Sequence, residues 1–426
     1  MSFLPIHRYW SDCLKVLISG INYSPELTGI GKYTGEMAEW LSEQGHEVRV
    51  VAAPPYYPEW KVRDGYSALR YRHEEMNGID VWRCPVFVPS HPTGFKRIVH
   101  LLSIAVSSLP VMLCQAFWRP DVVVAIEPPL FCAPGAWLTA RFSGAKCWLH
   151  VQDFEVDAAF ALRILNIPTA RRLVLSIESW LLRRFDRVSS ISVSMVDRLH
   201  QKGVARERCF LFRNWADIEK VIYDAAAADD FRRQQVIPVD TFVALYSGNM
   251  GEKQGLELVL EAAERLQHEN ILFVLCGDGA ARERLLQRAC NMENVRFLDL
   301  QPNHLLAGML SAVNVHLVIQ KAGAADLVMP SKLSNILAVG GVSIVTAEEN
   351  SELGRLFSEY PYMGLLCPPG NVDELVECVK YFQLSHRVPC HPKVRSYAEQ
   401  HIGKTMILSR CEREMLSIQS RATGYK

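Results

Sequence analysis

A chain of 426 residues is longer than one ordinary hydrophobic core organises and predicts two domains of roughly 200 residues each. With 49% hydrophobic and 22% charged residues it is a packed globular protein, which excludes a disordered chain and a small binding module. Forty-six basic residues balance 46 acidic ones, so no net field draws the molecule to nucleic acid and any anionic ligand must be gripped locally.

The N-terminal MSFLPIHRYWSDC has no charged start, apolar stretch or small-residue cleavage site, so export is not expected. Twelve cysteines lie scattered without a CxxC pair, several inside apolar runs such as LFVLCG. They read as reduced, mostly buried thiols of a cytosolic protein.

A strand at 14–20, a glycine-containing loop, a helix over about 30–44 stopped by Gly45 and a strand in HEVRVVAA form a β-α-β unit, which implies a parallel sheet. Residues 98–118, flanked by Lys96, Arg97 and Arg119, are long enough to span a bilayer. His100, three serines, Pro110 and Gln115 favour a buried or membrane-surface segment instead. Strands follow at 121–126 and 146–151, then an arginine-bearing helix over 170–185. Residues 216–240, charged, alanine-rich and without a strand, are the best interdomain candidate. A second alternation runs through strands 241–248, 271–277, 295–298, 313–320 and 342–347 and helices 255–267, 280–291 and 332–339. The fold class is therefore α/β, two doubly wound parallel-sheet domains in tandem. Ligands of such sheets bind beyond the carboxyl ends of the strands, so a cleft faced by both domains is the expected site.

Four loops lie between a strand and a helix, where unpaired N–H groups and the helix dipole favour an anion. In GINYSPELTGIGK (20–32), Gly29 and Gly31 allow close backbone approach to a phosphate or sugar, or serve a tight turn. It is not a P-loop, because Lys32 precedes Tyr33 and Glu26 stands where glycine is needed. It is not a dinucleotide fingerprint either, since AAPPYYP offers no acid for a ribose. SGNMGEKQG (247–255) presents Asn249, Lys253 and Gln254. A lysine beside a helix N-terminus opposes the dipole, which a bound diphosphate would offset; a solvated lysine is the alternative. PSKLSNILAVGG (330–341) starts a helix with Ser331 as cap and Lys332 in the first turn, and sets Asn335 one turn on; a phosphate near Ser331 and Lys332 would leave Asn335 facing an adjoining ribose, and plain capping with Lys332 in water is the alternative. CGDGAARE (276–283) adds Gly277 and Gly279 in a turn.

HVQDFEVD (150–157) ends a strand with His150, Gln152, Asp153, Glu155 and Asp157, a sugar pocket or an acid/base pair, or else loop solvation. Residues 163–187 interleave arginines with Leu, Ile, Val and Trp180, which suits anionic headgroups. Cysteine and histidine spacing gives no metal site, and no GxSxG elbow occurs.

Taken together, GINYSPELTGIGKYTGEM, QGHEVRVVAAPPYYP, YSGNMGEKQGLE and AADLVMPSKLSNILAVGG resemble the family-four retaining glycosyltransferases of the GT-B fold, from LKVLISG to about residue 400. The resemblance implies two Rossmann-like domains, an acceptor-binding one over 1–215 and a nucleotide-sugar-binding one over 216–395, with a C-terminal helix in 396–426 packing back on the first. Gly29 matches the glycine where donor phosphate and acceptor meet. Asn249 and Gln254 replace the family's Arg and Lys on the diphosphate, leaving Lys253 and Lys332 to supply the charge. Of the family's paired glutamates, the second position is Asn335 and the first is Leu327, beside Asp326; the family histidine falls near Gln152 or His150.

The implied reaction is transfer of a sugar, with retention, from a nucleoside diphosphate to an acceptor hydroxyl, with His150, Asp153, Lys253 and Lys332 as the catalytic candidates. GDP-fucose is the favoured donor and an undecaprenyl-diphosphate-linked saccharide the acceptor, in exopolysaccharide assembly of the colanic-acid type. The protein would work in the cytoplasm, peripherally on the inner membrane surface, with no cofactor, metal or nucleic acid. A nucleotide-sugar epimerase and a non-catalytic membrane-associated assembly factor are the competing readings.

Overall fold

The structure of the protein, a computed structural model, describes residues 13–26, 29–90, 94–157, 168–322, 331–385 and 390–423. The chain forms two compact units, Met1–Phe212 with Leu408–Lys426, and Arg213–Ile407.

Among the described residues the first unit carries an eight-stranded sheet. Its strands are β1 (Lys15–Ser19), β2 (Glu47–Ala52), β3 (Arg72–Met76), β4 (Ile79–Arg83), β5 (Val122–Glu127), β6 (Lys146–Val151), β7 (Arg187–Ser190) and β8 (Cys209–Leu211), in the order β3-β4-β2-β1-β5-β6-β7-β8. All neighbours pair in parallel except β3 with β4. All six residues of β5 are buried, as expected of a central parallel strand covered on both faces. The expected first helix runs Gly29–Glu43 and ends where Gly45 takes φ +88°: Gly45 N–H donates to the Ser42 carbonyl (2.9 Å) and His46 N–H to that of Leu41 (3.1 Å). The antiparallel β3–β4 hairpin is not predicted by the α/β reading. Its turn, Asn77-Gly78, has positive φ at both residues, the two-residue turn that fits strand twist.

The second unit carries β9 (Phe242–Ser247), β10 (Ile271–Cys276), β11 (Val295–Leu298), β12 (Val315–Val318), β13 (Ser343–Thr346) and β14 (Gly364–Cys367), all parallel, in the order β11-β10-β9-β12-β13-β14. Residues 216–240, expected as an interdomain stretch, belong to this unit. Ala225–Gln234 is a helix capped by Asp224, whose Oδ1 accepts from Ala227 N–H (2.9 Å), and it packs on Asn303–Ser311. Small residues make this possible: a methyl added to Gly308 would lie 3.0 Å from Ala227 Cβ. The alanine-rich composition is thus a helix–helix contact and not a linker.

In each sheet the chain direction of strand addition reverses once, between β1 and β5 and between β9 and β12, which are the crevices where open α/β sheets hold ligands. The C-terminal helix Lys404–Thr423 joins the first unit from Leu408 onward. There His46 Nδ1 accepts from Leu14 N–H (3.1 Å), which leaves the proton on Nε2 to be donated to Glu412 Oε1 (3.0 Å), with both side chains buried. Arg187 pairs with Glu414, and Gln419 reaches Asp121 (3.2 Å). Glu412→Ala should therefore destabilise the first unit by about 2 kcal/mol and Glu412→Gln by much less, read from urea unfolding midpoints.

Candidate active site

In the second unit, β9 ends in a buried Tyr246 whose hydroxyl donates to the Asn249 carbonyl (2.6 Å), fixing the start of loop 247–255. Lys332, in the first turn of Ser331–Ala338, places its Nζ 3.9 Å from the centre of the Tyr246 ring. Burial pushes the Lys332 ammonium down to about 7, because leaving water disfavours the charged form. Gly248 takes φ +141°, and a methyl there would stand 3.7 Å from Lys332 Cδ, so loop and lysine are in contact.

Loop 276–281 clasps this loop. Gly248 N–H donates to the Cys276 carbonyl (2.9 Å), Met250 N–H to Asp278 (2.7 Å) and Ala281 N–H to Met250 (2.9 Å). A methyl on Gly277 would lie 2.0 Å from the Gly248 oxygen, and one on Gly279 would lie 2.5 Å from Asn249 Oδ1. The sequence assigns Gly277 and Gly279 to substrate; in the structure the positions of their missing side chains pack against loop 247–255.

Lys253 is exposed on the same loop, and its carbonyl accepts from Lys321 N–H (3.0 Å), which joins the ends of β9 and β12 across the crevice. The Lys321 stem lies over Gly255, where a methyl would meet its Cγ at 2.8 Å. Lys321 escapes sequence reading because nothing in VIQKAG marks a lysine beside another loop. Two buried side-chain oxygens at this crevice, Gln254 Oε1 and Gln320 Oε1, have no donor among the described residues. Unpaired acceptors at a ligand crevice suit hydroxyl donors such as those of a ribose or sugar. Asn335 is half-buried one turn into the lysine-bearing helix, as expected. The Ser331 side chain and Asp326 lie outside the described residues.

In the first unit, Gly29 opens its helix with φ +59° beside Tyr57, whose Cε1 a methyl would approach to 3.6 Å. Gly31 does not leave space for a ligand: a methyl would strike Glu26 Oε2 at 2.7 Å. Glu26 is buried and accepts from Tyr56 N–H and Tyr57 N–H (both 2.9 Å) through Oε1 and from Asn22 Nδ2 (2.8 Å) through Oε2.

His150, a catalytic candidate by sequence, is a packed core residue. Its Nδ1 faces Ser189 Oγ (2.9 Å), its ring lies tilted against Phe212 at 4.8 Å, and burial pushes it down to about 3, so it is neutral and enclosed. Asp153 is exposed at the same strand end. The group there that titrates near neutrality is Glu155, pushed up to about 7 by burial, with Oε2 accepting from Leu130 N–H (3.0 Å). Behind it, Glu127 ends β5 fully buried, with neither oxygen partnered among the described residues; burial and then Glu155 hold it protonated. Asp157 is engaged by Arg198 (3.1 Å) and Lys202 (3.0 Å), a structural ion pair.

If Gly277 serves loop packing, Gly277→Ala should destabilise the second unit by at least about 3 kcal/mol whether or not ligand is present. Gly45→Ala, which meets only backbone strain, should cost about 1 kcal/mol; urea unfolding checks both.

Two family descriptions match consecutive parts of the chain: a glycosyl transferase 4-like domain over residues 28–215 and glycosyl transferases group 1 over 227–398. The chain is 46% identical over 402 residues to WcaI of Escherichia coli (strain K12), named as a colanic acid biosynthesis glycosyl transferase, covering 93% of this chain and 98% of that one. Anabaena HepE, solved in complex with UDP, superposes with a TM-score of 0.68 at 13% identity, covering 95% of this chain and 100% of that one. Sucrose-phosphate synthase of Thermosynechococcus elongatus superposes with a TM-score of 0.71 at 16% identity, covering 95% and 99%. With loops of this chemistry at the carboxyl edges of two parallel sheets, and with these matches spanning both units, the chain belongs to the group 1 glycosyl transferases and has the GT-B fold.

Proposed function

We propose that the protein moves a sugar, with retention of anomeric configuration as in family four, from GDP-fucose to an undecaprenyl-diphosphate-linked saccharide in colanic-acid-type exopolysaccharide assembly. The observation that carries the donor side is the Lys332 ammonium over Tyr246 at a helix N-terminus, beside two unpaired glutamine oxygens. The likeness to WcaI supports the pathway. In the reaction the bond from the anomeric carbon to the diphosphate oxygen breaks, and that carbon bonds to the acceptor oxygen. The acceptor proton leaves on the released diphosphate. Lys332, with Lys253 and loop N–H groups, stabilises the charge that grows on the leaving oxygens. Burial holds the Lys332 ammonium down to about 7, and a bound diphosphate favours its protonated form.

The acceptor side belongs to a protein lying on the inner face of the cytoplasmic membrane. Gly94–Trp118 is long and apolar enough to cross a membrane by length and composition. Within it, however, the polar residues His100, Ser108 and Gln115 face inward, and Gln115 Oε1 accepts from Arg49 (3.0 Å). Phe95, Leu102, Val106 and Leu109 face outward, between the exposed cations Lys96, Arg97 and Arg119. A span would break the inward hydrogen bonds, whereas a helix lying in the headgroup layer keeps them and buries the apolar stripe.

Thermal shift against GDP, UDP and ADP tests the donor: a nucleotide at 100 times its Kd should stabilise by about 2.7 kcal/mol, and no stabilisation by any of them would remove the transferase reading. Lys332→Met should lower kcat by about a hundredfold without lowering the unfolding temperature of the free protein, since it removes a cation that burial disfavours. The free ammonium titrates near 7 and the bound one higher, so nucleotide affinity should be flat below pH 7 and fall up to about tenfold per pH unit above it. Calorimetry in buffers of different ionisation enthalpy should show proton uptake at pH 8. Flotation with phosphatidylglycerol vesicles should carry the wild type and leave Val106→Glu in solution with its fold intact.

A further inference from the structure

The loop that follows β2 encloses a cavity of about 540 Å³ lined by Glu26, Tyr56, Tyr57 and a charged rim. Its floor is rigid. Glu26, 5% exposed, fixes the peptide groups of Tyr56 and Tyr57 through two hydrogen bonds of 2.9 Å. His100 Nδ1 faces the Phe87 carbonyl, which can only accept, so the ring proton is there and the Tyr56 hydroxyl donates to Nε2 (2.9 Å). The Tyr56 ring meets Trp60 edge-on at 5.6 Å, and Trp60 holds φ +52°, a conformation that an aromatic residue adopts only where its surroundings enforce it. Above this floor Tyr57 is 40% exposed, and its ring edge borders Gly29 of the first loop.

The rim holds Glu59, Lys61, Arg63 and Asp64, two carboxylates and two cations. With Glu26 the lining holds three carboxyl groups against two cations, which does not suit a phosphate. A neutral polyol meets donors and acceptors on the charged rim, and the exposed aromatic ring, among prolines and Val62, gives its C–H face a surface to stack on. We propose that this cavity binds the terminal, hydroxyl-bearing sugar of the acceptor, with Tyr57 as the stacking platform and the four charged rim residues as hydrogen-bonding groups. The proposal rests on the transferase reading above and assigns its acceptor sugar to a position beside the first loop.

Saturation-transfer NMR with methyl α-L-fucopyranoside, methyl β-D-galactopyranoside and methyl β-D-glucopyranoside tests it on the full chain, with nucleotide binding followed in parallel by calorimetry. At least one glycoside should receive saturation from the wild type. Tyr57→Ala should weaken its binding about fivefold or more, and Tyr57→Phe should keep it, because the ring and not the hydroxyl is needed. Nucleotide affinity should be unchanged in both variants. Equal saturation in Tyr57→Ala, or no saturation of any glycoside by a wild type that binds nucleoside diphosphate, overturns the site. Tyr57-dependent sugar binding in a chain that binds no nucleoside diphosphate would leave the site standing and overturn the transferase reading instead.

Discussion

An ammonium set against a buried tyrosine ring is the constraint from which the donor side of this protein follows. Desolvation makes the charged lysine unfavourable in the free protein, and an anion is what reverses that sign. The rest of the crevice serves the same placement. Tyr246 orients the loop through its hydroxyl, Gly248 lets the backbone pass the lysine stem, and Gly277 presses close enough on Gly248 to hold it there. A side chain at either glycine would strain or move the loop, so the electrostatics depend on two absent Cβ atoms at the ends of the consecutive strands β9 and β10.

The two sheets share one topological device and differ in chemistry. Each reverses its order of strand addition once, and each puts its functional loops at that crevice. The second unit offers lysines and unpaired amide oxygens there. The first offers carboxyl groups: Glu26 spent on backbone N–H groups, Glu127 buried and protonated, and Glu155 poised near neutrality. Lysines suit a leaving diphosphate, and a carboxyl-rich, tyrosine-lined edge suits hydroxyl groups. That division matches a reaction in which one partner departs as an anion and the other attacks as an alcohol.

The helix Gly94–Gln115 mixes polar with apolar side chains on its buried face. His100, Ser108 and Gln115 are buried beside Ile104 and Met112, while Phe95, Leu102, Val106 and Leu109 face out, because the loops it covers expose backbone and side-chain groups that need polar partners. Hydropathy alone sees only the sum, a long apolar segment. The direction each side chain takes is what that sum leaves out.

Element types and most strand positions were legible in the chain because parallel-sheet strands are near-continuous apolar runs and their helices carry recognisable stops such as Gly45. The same logic located the loops at 20–32 and 247–255 and the lysine of the 331–338 helix, since a strand-to-helix turn is a local pattern. Local pattern could not say what filled the space over each glycine. Gly29, Gly31, Gly277 and Gly279 look alike in sequence, yet one borders the Tyr57 ring, one meets Glu26 and two meet another loop. Nor could it show that His150 is walled in by Ser189 and Phe212, that Lys321 reaches loop 247–255, or that burial pushes Glu155 up to about 7. The sequence by itself determined the α/β class and the family, which depend on periodicity and on strings of neighbouring residues. Only the tertiary structure decided which of those residues are buried, paired or exposed, because burial and pKa are set by groups distant along the chain.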